Sequence, residues 1–185
     1  MKNDKDNGFL FLVTTQVLLA IVFLFWTSPL YSQQNVTYHG HVIEFNEYQE
    51  EVVCLAKNIY FEAGNQPVAG KVAVAQVVQN RVKHPDYPDN ICDVVYQARW
   101  KENWKGNLVP VRHMCQFSWF CDGKSDEPVD SATWIFSLLT AERVLQGEFG
   151  DITEEATHYH ADSVHPYWAD SLNQTVVINN HLFYK

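Results

Sequence analysis

The sequence predicts an α+β fold in which helices come first and a small antiparallel β-sheet comes last. Three observations carry that expectation. Apolar residues recur at helical spacing between Tyr48 and Lys83, and a second helical stretch is bracketed by Asp130 and Gly147. The last thirty residues then switch to short β-type runs with no helical pattern between them. Helices and strands that segregate along a chain build an α+β domain rather than alternating βαβ units.

The elements follow in order. From Tyr48 to Ala63 the positions Val52, Leu55, Ala56, Ile59 and Tyr60 share a helical face, and Gly64 reads as the C-cap. Pro67 suits the first turn of a second helix running to about Lys83. That helix (VAGKVAVAQVVQNRV) is apolar on most sides, which makes it central; its polar exceptions Gln76 and Asn80 lie four apart on one face. The loop HPDYPDN (His84 to Asn90) precedes a short helix from Ile91 to about Arg99. Residues 101–128 read as loop-rich and carry Trp104, Trp119 and the segment CQFSWFCDG. Asp130 caps a long helix to about Gln146, closed by Gly147. ATHYHA and TVVINNHLFYK read as two strands joined by the loop DSVHPYWADSLNQ.

Before this domain (residues 48–185) the composition changes. Lys2 and Lys5 precede an apolar stretch from Phe9 to Trp26, whose 18 residues would span about 27 Å as a helix, near the thickness of a bilayer core. No Lys or Arg occurs from Thr27 to Ala56, which favours the N-terminus inside and the domain outside. Residues 1–32 therefore read as a signal peptide or a signal anchor, and residues 33–47 as a linker. Both readings place the domain outside the cytoplasm, periplasmic or tethered to the inner membrane. Four cysteines in an exported chain suggest disulfides. Cys115 and Cys121 flank a short loop and form the easiest pair, leaving Cys54 with Cys92. The net charge of −9 offers no basic surface for phosphates, so nucleic acid is not an expected partner, whereas a sugar polymer is compatible.

Several constellations could carry chemistry. Glu62 follows Ile59, Tyr60 and Phe61; if those side chains line one pocket, desolvation raises its pKa and suits it to act as a general acid. Its bland alternative is a surface acid in a last helical turn. In CQFSWFCDG, Gln116, Ser118 and Asp122 alternate with Phe117, Trp119 and Phe120, a pattern that suits sugar binding or an aromatic plug in the core. His158 and His160 share one side of a strand, with His165 and His181 within possible reach; they could hold Zn²⁺, contact a substrate, or brace the sheet. Cys115 as a peptidase nucleophile requires a free thiolate, which the Cys115–Cys121 pair opposes, and Ser118 lacks the strand–turn–helix context of a hydrolase serine.

Taken together, CLAKNIYFEAGNQPVAGKVAVAQVVQNRV, YPDNICDVVYQ, CQFSWFCDG, ATHYHADSVHPYWA and INNHLFYK resemble the cell wall hydrolase family of the spore-cortex-lytic type. The resemblance covers about Glu51 to Lys185, and the cysteines bring it nearer to exported bacterial and phage members. It implies a lysozyme-like helical core with a small sheet, and cleavage of the β-1,4 bond between N-acetylmuramic acid and N-acetylglucosamine in peptidoglycan, largely by lytic transglycosylation. The family's catalytic Glu falls on Glu62. One carboxylate is enough for that reaction, because the substrate's own C6 hydroxyl replaces water. Gln76 and Asn80 would face the cleft or brace Glu62; Gln116, Ser118 and Trp119 would form cleft wall, Asp122 a sugar-binding or loop-stabilising group, and Tyr159, His160 and Trp168 the sheet side. No cofactor or metal is expected, the partners are peptidoglycan and the membrane, and the chain is expected to be a monomer. The family often carries Arg-Gly-Glu where this chain has Gly64, Asn65 and Gln66, so that segment supplies no basic side chain beside the acid.

Overall fold

The computed structural model describes residues 34–38, 41–45 and 47–185, with side chains from residue 48 onward. The expected signal or anchor segment lies outside these residues. Among the described residues, no helix is long and apolar enough to cross a membrane. The chain divides after Glu44. Before that division lie β1 (Gln34–Tyr38) and most of β2 (His41–Phe45), paired as a two-stranded sheet where a linker was expected. Val36, Thr37, Val42 and Ile43 are β-branched, and such residues favour strands.

Residues Phe45–Lys185 form one compact unit. Its helices are α1 (Glu47–Ala63), α2 (Val68–Lys83), α3 (Ile91–Val95) and α4 (Ser131–Leu145). The helix α2 is central as its composition predicts: Val72 to Val78 are all buried. Leu55 and Ile59 of α1, Val94 and Val95 of α3 and Ala141 of α4 close around it. Each fully buried Val, Leu or Ile contributes about 1.5–3 kcal/mol relative to exposure. Asp130 caps α4 by accepting from Thr133 N at 2.7 Å, and Gly147 (φ 74°) ends it.

Three expectations change. The short helix stops at Val95, and a hairpin of β3 (Ala98–Glu102) and β4 (Leu108–Cys115) occupies part of the stretch read as loop. The C-terminal run holds two strands, not one: β6 (Gln174–Ile178) and β7 (His181–Tyr184), joined at Asn179–Asn180. Asn179 takes φ 53°, a conformation that Asn tolerates well, so the dipeptide is the turn of a tight hairpin. With β5 (His158–Ala161) these form an antiparallel sheet ordered β5–β7–β6. Both disulfides form as expected. Cys54–Cys92 ties α1 to α3, and Cys115–Cys121 closes the end of β4 onto a short 3-10 turn, Ser118–Cys121.

Candidate active site

Glu62 sits in the last turn of α1, next to the break that the sequence announces. Lys71 of α2 holds that break by donating to the carbonyls of Gly64 and Gln66. Gly64 is required there for space: a Cβ would lie 2.4 Å from the Tyr60 carbonyl oxygen and 3.0 Å from Thr133 Cγ2.

Two hollows meet at Glu62 and Ser118. One, of about 270 Å³, is lined by Arg81, Gln116, His158, Tyr159 and Trp168 besides those two. The other, of about 330 Å³, adds Phe61, Trp119, Asp122 and Lys124. Tyr159 on β5 donates its hydroxyl to Glu62 Oε2 at 3.1 Å. Burial raises the pKa of Glu62, while the Tyr159 hydrogen bond and the charge of Arg81 oppose that rise without cancelling it. Burial and the adjacent Glu62 also hold the Tyr159 hydroxyl well above the usual tyrosine range, so it remains a donor.

Arg81, from the last turn of α2, is the basic group that the Gly64–Gln66 segment lacks. It is only 3% exposed. Its Nε donates to Thr157 O at 2.7 Å, and the guanidinium lies over the rings of Tyr87 and Phe117. Gln116 presents its amide oxygen to both Nη groups at 3.1 and 3.0 Å. Sequence reasoning missed Arg81 because it looked for the cation beside the acid in the chain. The available signal was a lone Arg one position after Asn80 in a helix too apolar to leave it exposed. Of the readings open for His158, the structure favours substrate contact, since it lines the smaller hollow. Its Nδ1 and Nε2 face Thr157 Oγ1 and Tyr87 Oη at 3.0 and 3.5 Å, and burial with nearby Arg81 lowers its pKa, keeping it neutral.

The remaining expected residues divide. Gln116 and Ser118 are exposed toward the hollows, and Asp122 and Trp168 line them. Asp122 also accepts from Lys124 N at 2.8 Å and pairs with Lys124 Nζ at 3.6 Å. Trp119 touches the larger hollow but is mainly a core residue, 7% exposed, stacked on Phe61 at 4.8 Å and donating to Asn58 Oδ1 at 3.1 Å. The alternation in CQFSWFC thus turns Phe117 and Trp119 inward and Gln116 and Ser118 outward. Gln76 and Asn80 do not brace Glu62. Gln76 bonds Gly150 O and Ile152 N, and Asn80 bonds Thr153 and Ala156, so both fasten the loop before β5. Nor does His160 reach the hollows; it is buried, stacked on Tyr184 and bonded to the Tyr184 hydroxyl at 2.9 Å. His165 pairs with Asp170 and His181 packs edge-on against Tyr159. Among the described residues, no three His, Cys, Asp or Glu side chains converge as metal ligands would. The aromatic neighbours also differ from expectation. Ile59 belongs to the core and Tyr60 accepts from Val129 N and Asp130 N, so Phe61, Tyr159 and Trp168 enclose Glu62 instead.

Comparisons with known proteins agree with this architecture. A family model described as Cell Wall Hydrolase matches residues 65–184, beginning three residues after Glu62. A spore cortex-lytic enzyme of Halalkalibacterium halodurans is 38% identical over 47 residues, 25% of this chain and 14% of that protein. One from Oceanobacillus iheyensis is 35% identical over 51 residues, 28% of this chain and 18% of that protein. The matches thus span under a fifth of those relatives. Among solved structures, the catalytic domain of the Bacillus cereus SleB protein gives a TM-score of 0.53 at 22% identity, covering 74% of this chain and 91% of that one. The catalytic domain of the germination-specific lytic transglycosylase SleB from Bacillus anthracis gives 0.56 at 21% identity, covering 80% and 100%. At that identity the two structures speak to the fold.

Proposed function

The chain belongs to the cell wall hydrolase family, and from that premise we propose that it cleaves peptidoglycan glycan strands at the MurNAc–GlcNAc β-1,4 bond as a lytic transglycosylase, with Glu62 as acid and base. The observation that carries the reading is a carboxyl with its pKa raised by burial, held by Tyr159 at the junction of two sugar-sized hollows. Protonated Glu62 donates its proton to the glycosidic oxygen as the C1–O bond breaks. The resulting carboxylate then takes the proton of the substrate's C6 hydroxyl as that oxygen bonds to C1, closing a 1,6-anhydro ring and restoring the acid. Arg81 stabilises the carboxylate between the two steps, and proximity within one sugar ring replaces a second base. Gln116, Ser118, His158 and Trp168 supply neutral hydrogen-bonding and stacking groups for pyranose rings.

Asp122 favours a second reading. It lines the larger hollow together with Glu62, so a water-using muramidase with two carboxylates has its residues present. Residues 48–185 would be the catalytic domain, working as a monomer outside the cytoplasm, with residues 1–32 as export signal or membrane tether.

Digestion of purified peptidoglycan tests the proposal. Mass spectrometry separates anhydro ends from hydrolysed ends, which differ by one water. Anhydro products from the parent and their loss in Glu62→Gln are expected. Hydrated ends would assign the reaction to the muramidase, and undiminished cleavage by Glu62→Gln would remove Glu62 from the mechanism.

A further inference from the structure

The β3–β4 hairpin has no part in the chemistry above, yet its composition stands apart from the rest of the chain. In a protein of net charge −9 it carries Arg99, Lys101, Lys105 and Arg112 against the single acid Glu102. It also exposes large apolar side chains: Trp104 is 89% exposed and Trp100 46%, with Leu108 and Met114 beside them. Soluble proteins rarely display such a cluster without a binding role.

The hairpin is built to hold these groups in place. Asn103 Oδ1 accepts from Lys105 N at 2.9 Å and Asn107 N at 3.0 Å, and Gly106 supplies the φ of 80° that the turn demands. Lys105 Nζ lies 4.8 Å from the Trp104 ring centre on one face, which leaves the other face to solvent. At the base, Gln116 N donates to Gln97 O at 2.8 Å and the Cys115–Cys121 disulfide locks the strand end. Pairing skips from Ala98↔Cys115 to Trp100↔Pro110, so β4 bulges over residues 111–114, with His113 at φ 60°. Bulges of this kind re-aim side chains beside sites.

The hairpin is also continuous with the candidate active site. Trp100 meets Phe120 edge-on at 5.9 Å, Phe120 meets Trp119 at 6.1 Å, and Trp119 stacks on Phe61 in the wall of the larger hollow. The strand β4 itself runs into Cys115 and Gln116, which line the smaller one. We propose that the β3–β4 hairpin is a docking site for the glycan strand beyond the cleaved bond, with Trp100 and Trp104 stacking on pyranose rings and Arg99, Lys101, Lys105 and Arg112 meeting the carboxylates of the stem peptides. The proposal rests on the reading of this chain as a peptidoglycan-cleaving enzyme. It explains how an acidic protein engages an anionic polymer: the cations are gathered where the polymer leaves the cleft.

The test uses binding, read in a Glu62→Gln background so that the polymer stays intact. Co-sedimentation with insoluble peptidoglycan sacculi is measured for that parent, for added Trp104→Ala, and for added Lys101→Ala/Lys105→Ala. Trp104→Ala is expected to weaken sacculus binding about three- to tenfold, with Trp104→Tyr restoring most of it. The double Lys variant is expected to weaken binding at low salt and flatten its salt dependence. Affinity for a disaccharide-peptide monomer, too short to reach the hairpin, should hold in all forms. Sacculus binding that is absent in the parent or unmoved by these variants overturns the proposal. So does an equal loss on the monomer, or hairpin-dependent binding to phosphatidylglycerol vesicles with sacculus binding unaffected. The two failures stay distinguishable: cleavage that persists in Glu62→Gln is seen in the product assay and counts against Glu62 as the acid, and binding is then read on ice with sacculi recovered intact, where the hairpin variants alone decide the docking site.

Discussion

Replacing Gly64 by Ala puts two opposing effects in competition two residues from the candidate acid. The added methyl would sit 2.4 Å from the Tyr60 carbonyl oxygen and 3.0 Å from Thr133 Cγ2. The first neighbour is backbone in the last turn of α1, so relief requires moving the helix end or the Gly64–Pro67 turn. Overpacking of this kind costs about 1–3 kcal/mol. Against it, Ala restricts the unfolded chain and returns about 0.4–1 kcal/mol. Gly64 is not among the residues with positive φ, so backbone strain adds nothing. Taking the middle of each range, the clash wins by about 1.3 kcal/mol, and at most by about 2.6 kcal/mol. At about 3 °C per kcal/mol for a unit of this size, the melting temperature should fall by about 4 °C, and at most by about 8 °C. The same shift displaces the turn carrying Glu62, and misplacement of a catalytic group by about 1 Å can cost a hundredfold in rate. Cleavage assayed well below the new melting temperature should therefore fall in kcat. Thermal unfolding followed by circular dichroism gives the first number and sacculus clearing the second. An unchanged or raised melting temperature with full activity would refute the argument, because it would mean that the contact relaxes without cost.

Two other outcomes concern Glu62 directly. Tyr159→Phe removes the hydrogen bond that lowers the Glu62 pKa, so burial raises it further. The acid then stays protonated to higher pH, and the alkaline limb of the kcat–pH profile should move upward; an unmoved limb would mean that another group titrates. Glu62→Gln should also change stability with a definite sign. A carboxyl whose folded pKa lies above its ordinary 4.5 contributes stability that is fully present below that value and lost as pH rises through the folded pKa. The Gln variant escapes that loss, so it should melt higher than the parent at neutral pH and equally at pH about 4; a variant that melts lower at neutral pH contradicts the raised pKa.

Much of the fold was legible because it depends on local pattern. The two helices from Tyr48 to Lys83, the Asp130 cap and the Gly147 stop are all readable from periodicity and end signals, and the structure has them. The β3–β4 hairpin was not legible, because its strands carry exposed Arg, Lys and Trp instead of an alternating apolar face, and its turn is set by Asn103 and Gly106 in a segment rich in loop residues. The second hairpin hid in one apolar run, where only Asn179–Asn180 marked the reversal.

For the site, the sequence by itself determined the candidate acid, the break after it and the polar positions of the CQFSWFC loop, since each is written in contiguous residues, whereas Cys54 and Cys92 stand 38 residues apart and only the fold brings them together. It could not determine what Glu62 meets. Tyr159 is 97 residues away in the chain, and Arg81 follows directly on Asn80 in a helix whose Asn80 and Gln76 serve the loop before β5. Which of three neighbouring polar side chains points into the cleft depends on how α2 is rotated in the core, and no spacing rule records that rotation. The acidity of Glu62 is likewise a tertiary property. It comes from the desolvation and the two opposing partners that the packed elements bring around it.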